Sequence, residues 1–558
     1  VKQLANRILI LLAAVLFVAL PASSNAQPSP DVNAIGSSGL FLELGEAAFT
    51  LSLPPGAAVA CAWSTSTSSL VVATDTSSGT NTDTGNAWVV WFAPTGSTCS
   101  SNVVPVAVYG YLQTDSVVGD RCLFNGTASK CSISYTSAVG TAGANLIEPT
   151  EFALPAMVAS ALNGAPNVAG TDIRPEDAEF ATARALTTCG TPIPATYGSV
   201  TTTQYEGLGY TAGDNIESET NPGTGFHALD FTLPATFFTQ PVGADPVVVF
   251  VHSTDASGTG FNNTSITNLN RSTLALYLDG SIGETRDALT PGATGTSEPT
   301  TVFIREPLSG TYNTMEYNIP NSLELQTSQD VGEEQPSSQK NCSGSAVGSN
   351  PMNIENTNFT SFRKRAIGTG QEVSAVFGNN DSLGYAFWGV TNFKAATSTD
   401  KYLTVDGVDP LLTSYTTLNG TIPTTATQLA NVKFPHIVDG TYPIWSLLRL
   451  VYVNSSLSTA TLNLAEGAAS FTTPMHPDFV PYYVASAGTT VNLKVERSHF
   501  IPPAGTIMPA TPINGECASN PTALTTEAGG DVGGVVIPCA VDADYKTTTG
   551  STYIDHRN

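Results

Sequence analysis

An α/β fold of more than one unit is the class this sequence predicts, on three observations. A β-rich run, a glycine- or serine-rich turn and a helix-compatible stretch follow one another at three places: Val32 to Phe49, Val168 to Leu186, and Thr301 to Tyr317. The continuous apolar run Pro246 to Val251 (PVVVFV) reads as a strand buried on both faces, which parallel and mixed sheets require. The length, 558 residues, exceeds one small core and points to two or three domains, or two lobes with large insertions.

Composition narrows the function. Hydrophobic residues make up 41% of the chain, enough for a packed protein, and charged residues only 12%. The formal charge of −25 lacks the basic footprint of a nucleic-acid binder. It does not exclude a small anion, which local amides and one arginine can hold against an unfavourable overall field. Val1 to Ala26 reads as a cleaved secretory signal: Lys2 and Arg7 form the basic end, Ile8 to Pro21 the apolar core, and Ser24-Asn25-Ala26 the cleavage site. The apolar run is short for a membrane span and no later segment resembles one, so a periplasmic or secreted protein without stable membrane insertion is expected. The eight cysteines are scattered, without CxxC or clustered histidines, so disulfides are expected rather than metal. The pairs Cys122–Cys131 and Cys517–Cys539 are local; Cys61–Cys99 and Cys189–Cys342 would complete the set, although sequence alone does not fix connectivity.

Taken in order, the chain gives these elements. Val32 starts a strand that runs into Gly36-Ser37-Ser38-Gly39, and a helix pattern follows through Phe41, Leu44 and Ala48. Ser64 to Gly85, rich in Ser, Thr and Gly, reads as a surface loop. Ala87 to Phe92 and Val103 to Tyr111 are strand-like. Asp115 to Arg121 reads as a turn whose arginine either reaches a ligand or pairs with a carboxylate. Pro149 to Leu162 is helix-compatible, with Pro155 as kink or first-turn residue. Asp172 ends the next strand, before a helix-forming stretch from Ala178 to Leu186. Pro246 to Val251 is a crossing strand between lobes, and Asn268-Leu269-Asn270 caps a helix through Leu278. After Arg305, Pro307 turns the chain, and Ser309 or Thr311 caps a helix. Gln326 to Pro351 reads as a loop, and Arg363 to Arg365 as a solvated basic face. Gly384 to Trp388 and Ser446 to Val453 are strands, with an extended run from Tyr402 to Pro410 between them. The organisation expected is a signal (1–26), a first lobe with insertions (27–245), a second lobe (246–400), a return to the first (401–470) and a disulfide-tied extension (471–558).

The chemistry concentrates at the turns. A strand, a Ser-Gly-Thr turn and a helix start give converging backbone N–H groups, and Arg305 makes the third unit an anion site, although the same turn alone also reads as an ordinary one. Asp172 at a strand end is either a structural turn residue or an acceptor for the proton of an oxyanion such as hydrogen phosphate. Sulfate offers no such proton and would be repelled.

Together these stretches resemble the phosphate-binding periplasmic proteins of ABC transporters, the phosphate-specific class of the type 2 solute-binding fold. Gly36 to Phe41 is similar to the family's first ligand loop, Val168 to Asp177 to the turn with the ligand aspartate, Asn268 to Gly280 to the helix before the third loop, and Ile304 to Thr311 to the Arg-x-Asp-Gly-Ser-Gly-Thr loop. Gly384-Tyr385, Val405 to Pro410 and Tyr442 to Ile444 are similar to later landmarks, so the resemblance covers roughly Asp31 to Ser455. It implies two α/β lobes with mixed sheets, joined by crossing segments, and a ligand cleft between them. The implied ligand set is Ser38, Leu40 and Phe41 from the first loop, Ser116, Asp172 as proton acceptor, Arg305, and Ser309, Gly310 and Thr311 as donors. No cofactor is implied. The implied partners are phosphate or a similar oxyanion and an ABC-transporter permease. The chain departs from the pattern: Pro307 and Leu308 stand where the family has aspartate and glycine, and Leu40 stands for a threonine. Glu306 either orients Arg305 or repels the anion.

Three functions follow: oxyanion binding for delivery or scavenging outside the cytoplasm; a secreted structural or adhesive protein that kept the fold with a degraded site; and an enzyme. For the enzyme, Ser309 and Ser38 are the candidate nucleophiles, but His227, His252, His436, His476, His499 and His556 are scattered along the sequence, so a non-enzyme is expected.

Overall fold

The computed structural model describes residues 30–65, 86–124, 143–173, 236–305, 309–319, 362–471 and 477–484, apart from a few positions inside these ranges. It also describes short strands at 71–76, 79–83, 133–134, 192–197 and 200–205. The expected signal (1–26), the helix after Ala178, the loop 326–351, the turn 306–308 and most of the C-terminal extension lie outside them.

The protein is α/β, built on one large mixed sheet of 12 strands among the described residues. Its main strands are β1 (Val32–Gly36), β2 (Ala57–Thr65), β3 (Ala87–Pro94), β4 (Ala107–Gln113), β5 (Val168–Thr171), β6 (Phe238–His252), β7 (Thr301–Arg305), β8 (Phe362–Ala366), β9 (Ser382–Phe387) and β10 (Trp445–Tyr452). They lie side by side in the order β8-β7-β9-β6-β10-β5-β1-β4-β3-β2. β1 is parallel to both β4 and β5, and β7 is parallel to both β8 and β9. Such parallel pairs need crossover connections, which is why the helices follow the strands. The helices used below are α1 (Phe41–Thr50), α2 (Ser116–Phe124), α3 (Ala156–Leu162), α4 (Arg271–Asp279), α5 (Gly310–Asn318), α6 (Thr369–Phe377) and α7 (Ser458–Ala468).

The 15-residue β6 makes the two halves one molecule. Its first part, to Pro246, pairs antiparallel with β10; from Val247 it pairs with β9. The partner changes where Pro246, which has no N–H to donate, faces Trp445. β6 is therefore the strand shared by both sets, and PVVVFV is a buried strand, as expected. Val247, Val248, Val249, Phe250 and Val251 are all fully buried. The chain stays with the second half through Asp400–Tyr402, which also pairs with β6, and β10 returns it to the first. Val480–Pro481 then pairs with the first part of β6, opposite Gly243 and Ala244.

The first unit forms as its sequence dictates. Phe41, Leu44, Ala47 and Ala48 recur at helical spacing and are buried on one face of α1. Gly36 ends β1 with φ +142°, and a Cβ there would overlap the Gly170 carbonyl oxygen. Only glycine lets β1 and β5 finish so close together that Ser37 N–H reaches Gly170 O at 2.7 Å. Tyr111, stacked on Trp88, donates its hydroxyl to Ser37 O at 2.6 Å and ties the turn to the core.

Three expectations need correction. Within the stretch expected as a loop, Val71–Thr76 and Gly79–Asp83 are strands that pair antiparallel, because threonine-rich runs are good strand formers even without apolar alternation. Asp115 to Arg121 is not a turn: α2 begins at Ser116, with Gly119 N–H bonded to Asp115 O at 3.0 Å. The strand expected from Val103 begins only at Ala107, since Pro105 cannot donate to a ladder. The α4 cap also differs. Asn268–Leu269 pairs with Thr404–Val405, and Asp406 Oδ1 accepts the Arg271 N–H at 2.9 Å.

Cys61 on β2 and Cys99 beyond β3 form a disulfide, as expected. Cys122 is also disulfide-bonded; Cys131, Cys189, Cys342, Cys517 and Cys539 lie outside the described residues. The Cys61–Cys99 bridge closes a span of 38 residues. Replacing both cysteines by alanine should lower the unfolding free energy by about 2–4 kcal/mol. The measurement is the urea midpoint at unchanged slope; an unmoved midpoint would show that the bridge adds nothing. Among the described residues no helix is long and apolar enough to cross a membrane.

Candidate functional site

Six chain segments meet beside the crossing strands. The first half contributes the Ser37–Phe41 turn, the start of α2 and the end of β5. The second contributes the end of β7 and the starts of α5 and α6.

Asp172 sits at the centre, 2% exposed. Its carboxylate accepts from Ser37 Oγ at 3.2 Å and from Ser116 Oγ, and its backbone carbonyl accepts from Ser446 Oγ on β10. Burial pushes the Asp172 carboxyl above its ordinary value of 3.8, opposed by the hydrogen bonds from Ser116 and Ser37 and by the charge of Arg305. Gly310 lies directly against this carboxylate, where a Cβ would overlap Oδ1.

Arg305 ends β7 at 2% exposure. Nη1 donates to Thr369 Oγ1 at 2.8 Å and to Thr311 Oγ1 at 3.4 Å; Nη2 lies 3.3 Å from Asp115 Oδ1, an ion pair across the two halves. The backbone N–H of Arg305 donates to the Tyr385 hydroxyl at 3.3 Å. Ser309 is the N-cap of α5 as the sequence predicts, its Oγ accepting from Tyr312 N–H. The first turn of α5 thus turns its positive end toward Asp172 and Arg305.

Of the residues the sequence singled out, the structure brings together Ser38, Ser116, Asp172, Arg305, Ser309, Gly310 and Thr311. Ser38 Oγ lies 3.5 Å from Thr369 Oγ1, another contact between halves. Leu40 and Phe41 are placed differently. Both side chains are buried in the core, and the Phe41 N–H is bonded to Ser38 O within the turn. Arg121 is buried on α2; Glu306 lies outside the described residues. Sequence reasoning missed three groups. Ser37 rather than Ser38 bonds Asp172, and the one-residue offset is set by the 3-10 turn after Gly36. Asp115 was visible only as part of a supposed turn. Thr369 follows Gly368, whose φ of +74° starts α6, and the Gly-Thr pair is the one signal that marks it.

Carboxyls also gather behind the first turn. Burial, reinforced by Asp478, pushes Glu43 upward, and burial with Glu43, Asp478 and Asp172 does the same to Asp245. Glu46 is pushed from 4.5 to about 7 by burial and then by Glu148 and Asp478. An acid whose pKa is raised by folding binds more protons folded than unfolded, so its stabilisation is complete below 4.5 and is lost as pH rises through about 7. Glu46→Gln should therefore flatten the fall in stability between pH 4.5 and 7 by about 1 kcal/mol, less than full linkage because the group is partly solvated. Urea unfolding at pH 4.5 and 7.5 is the measurement, and a variant curve parallel to the wild type would refute the assignment.

Among the described residues, Asp255, Glu298 and Asp381 have ligand atoms within 4.8 Å of one another, the arrangement that would hold a cation. Thr259 Oγ1 donates to Asp255 and Glu298, and Phe261 N–H to Asp381, so the group is held by its own hydrogen bonds. The described histidines bond elsewhere, His252 to Asp400 and His436 to Thr441.

No family model and no curated protein matches this chain. Solved structures with some likeness include a putative phosphate ABC transporter substrate-binding protein with bound phosphate from Clostridium perfringens. It is 12% identical with a TM-score of 0.27, over 44% of this chain and 72% of that one. A phosphate-binding protein from Stenotrophomonas maltophilia is 15% identical with a TM-score of 0.29, over 67% and 79%. A high-affinity periplasmic phosphate-binding protein, PfluDING, bound with phosphate, is 12% identical with a TM-score of 0.31, over 82% and 91%. The fold described above rests on strand order and register, not on these likenesses.

Proposed function

We propose that this chain binds a small tetrahedral oxyanion, inorganic phosphate, outside the cytoplasm, for delivery to a transporter or for scavenging. One observation carries the reading: the guanidinium of Arg305, the N-terminus of α5 and the hydroxyls around Asp172 converge from both halves onto one buried place. A guanidinium and helix amides supply fixed donors to oxyanion oxygens. Asp172 accepts a proton that phosphate carries at neutral pH and sulfate does not. Ser38 joins Arg305, Ser309 and Thr311 as a hydroxyl of the same site, and binding between halves favours the closed arrangement.

The test is calorimetric titration of the refolded, phosphate-stripped protein at pH 7 with phosphate and with sulfate. Saturable one-to-one binding of phosphate and none of sulfate is expected. No heat with either anion, from protein shown to be folded, would end this reading and leave a secreted structural or adhesive role.

A further inference from the structure

We propose that Asp115 is a second proton acceptor in the site, and that the cleft takes phosphate as its doubly protonated monoanion, H2PO4−. The inference rests on the anion-binding reading and names the protonation state of the ligand.

Asp115 immediately precedes α2, and its carboxylate reaches Arg305 Nη2 from the opposite half at 3.3 Å. The next residue, Ser116, donates to Asp172. The Arg305 guanidinium is thus ion-paired with Asp115, and its charge also acts on Asp172, whose hydrogen-bond partner Ser116 is the next residue of the same helix start. Other charged groups lie close: Asp120 and Arg121 are buried on α2, Asp245 is pushed upward by burial and then by Glu43, Asp478 and Asp172, and Glu372, in the first turn of α6, has Oε1 engaged by Tyr385 N–H. With both aspartates ionised, the Arg305 charge is exceeded by one.

The chemistry of the ligand follows from counting donors. An ionised carboxylate only accepts hydrogen bonds. HPO4²⁻ has one O–H, so against two carboxylates it would leave one facing an ionised oxygen. H2PO4− has two, one for each, and its two remaining oxygens face Arg305 and the amides of α5. A phosphate monoester monoanion, again with a single O–H, is disfavoured for the same reason, and sulfate is excluded altogether.

The experiment is calorimetry of the full chain with inorganic phosphate from pH 5.5 to 8.5, in paired buffers of different ionisation enthalpy. Methyl phosphate serves as a second ligand. Above neutrality the wild-type Kd should rise about tenfold per pH unit, with about one proton taken up per phosphate. Asp115→Asn, whose amide can donate to an ionised oxygen, should still bind phosphate, change its Kd less than about threefold across the same range, and accept methyl phosphate more readily. A wild-type affinity that is flat or improves with pH overturns the proposal, as does an Asp115→Asn variant with the wild-type slope. Absence of heat at every pH from folded wild type would instead remove the anion-binding reading, and this inference with it.

Discussion

Arg305→Met should weaken phosphate binding by roughly two to four orders of magnitude. The side chain is almost wholly buried, and its Nη1 and Nη2 are held by Thr369, Thr311 and Asp115. Methionine keeps the length of the stem and removes the fork. A hydrogen bond to a charged group contributes about 1.5–3 kcal/mol, so losing two to the anion should weaken binding by about 3–6 kcal/mol, roughly two to four orders of magnitude in Kd. Arg305→Lys should recover only part of this, since an ammonium restores the charge without the two parallel donors. Arg305→Met, unlike Arg305→Lys, also removes the positive charge that opposes burial at Asp172, so that carboxyl should move further upward. Titration calorimetry checks the affinity. Binding by Arg305→Met within threefold of wild type would place the anion elsewhere in the molecule.

The parts of this site that were legible in the sequence are local. Ser309 caps α5 because a serine before a helix start has a first-turn N–H within reach, and the sequence offered it beside Thr311 for that role. Gly36 before two serines announced a tight strand end, and the run PVVVFV read as a strand buried on both faces, which it is. The partners of Arg305 are a different matter. Thr369 lies 64 residues downstream and Asp115 lies 190 upstream, so no spacing rule connects them. Where Pro307 stands in place of the carboxylate that the resemblance implies, Arg305 is ion-paired in the structure with the sequence-distant Asp115. α2 was hidden for another reason. Its opening, Ser-Val-Val-Gly, is poor in helix formers, and packing on the sheet rather than propensity makes it helical.

The close contact of Gly310 with Asp172 gives the second large effect. Gly310→Ala adds one methyl group, and at that position the methyl would overlap Asp172 Oδ1. Two responses are open. Asp172 can rotate away, which gives up its bonds from Ser37 and Ser116, or the halves can part and withdraw Arg305 from Asp115. The first loses two hydrogen bonds to a charged group, about 3–6 kcal/mol in all, and the second removes the site itself. Phosphate affinity should therefore fall by at least about a hundredfold, although no proposed polar ligand group has been deleted. Small-angle scattering distinguishes the responses, since only parted halves enlarge the radius of gyration. The partner test is Gly310→Ala combined with Asp172→Ala. Removing the carboxylate makes room for the methyl, so the double variant should return to the wild-type radius of gyration and be no less stable than Asp172→Ala alone, while phosphate binding stays weak. The two changes would then be non-additive in stability, as expected for groups in direct contact. If Gly310→Ala binds phosphate as the wild type does, the contact between Asp172 and the α5 start is not what closes the cleft, and the arrangement in which Asp172 accepts the ligand proton beside that helix would have to be abandoned.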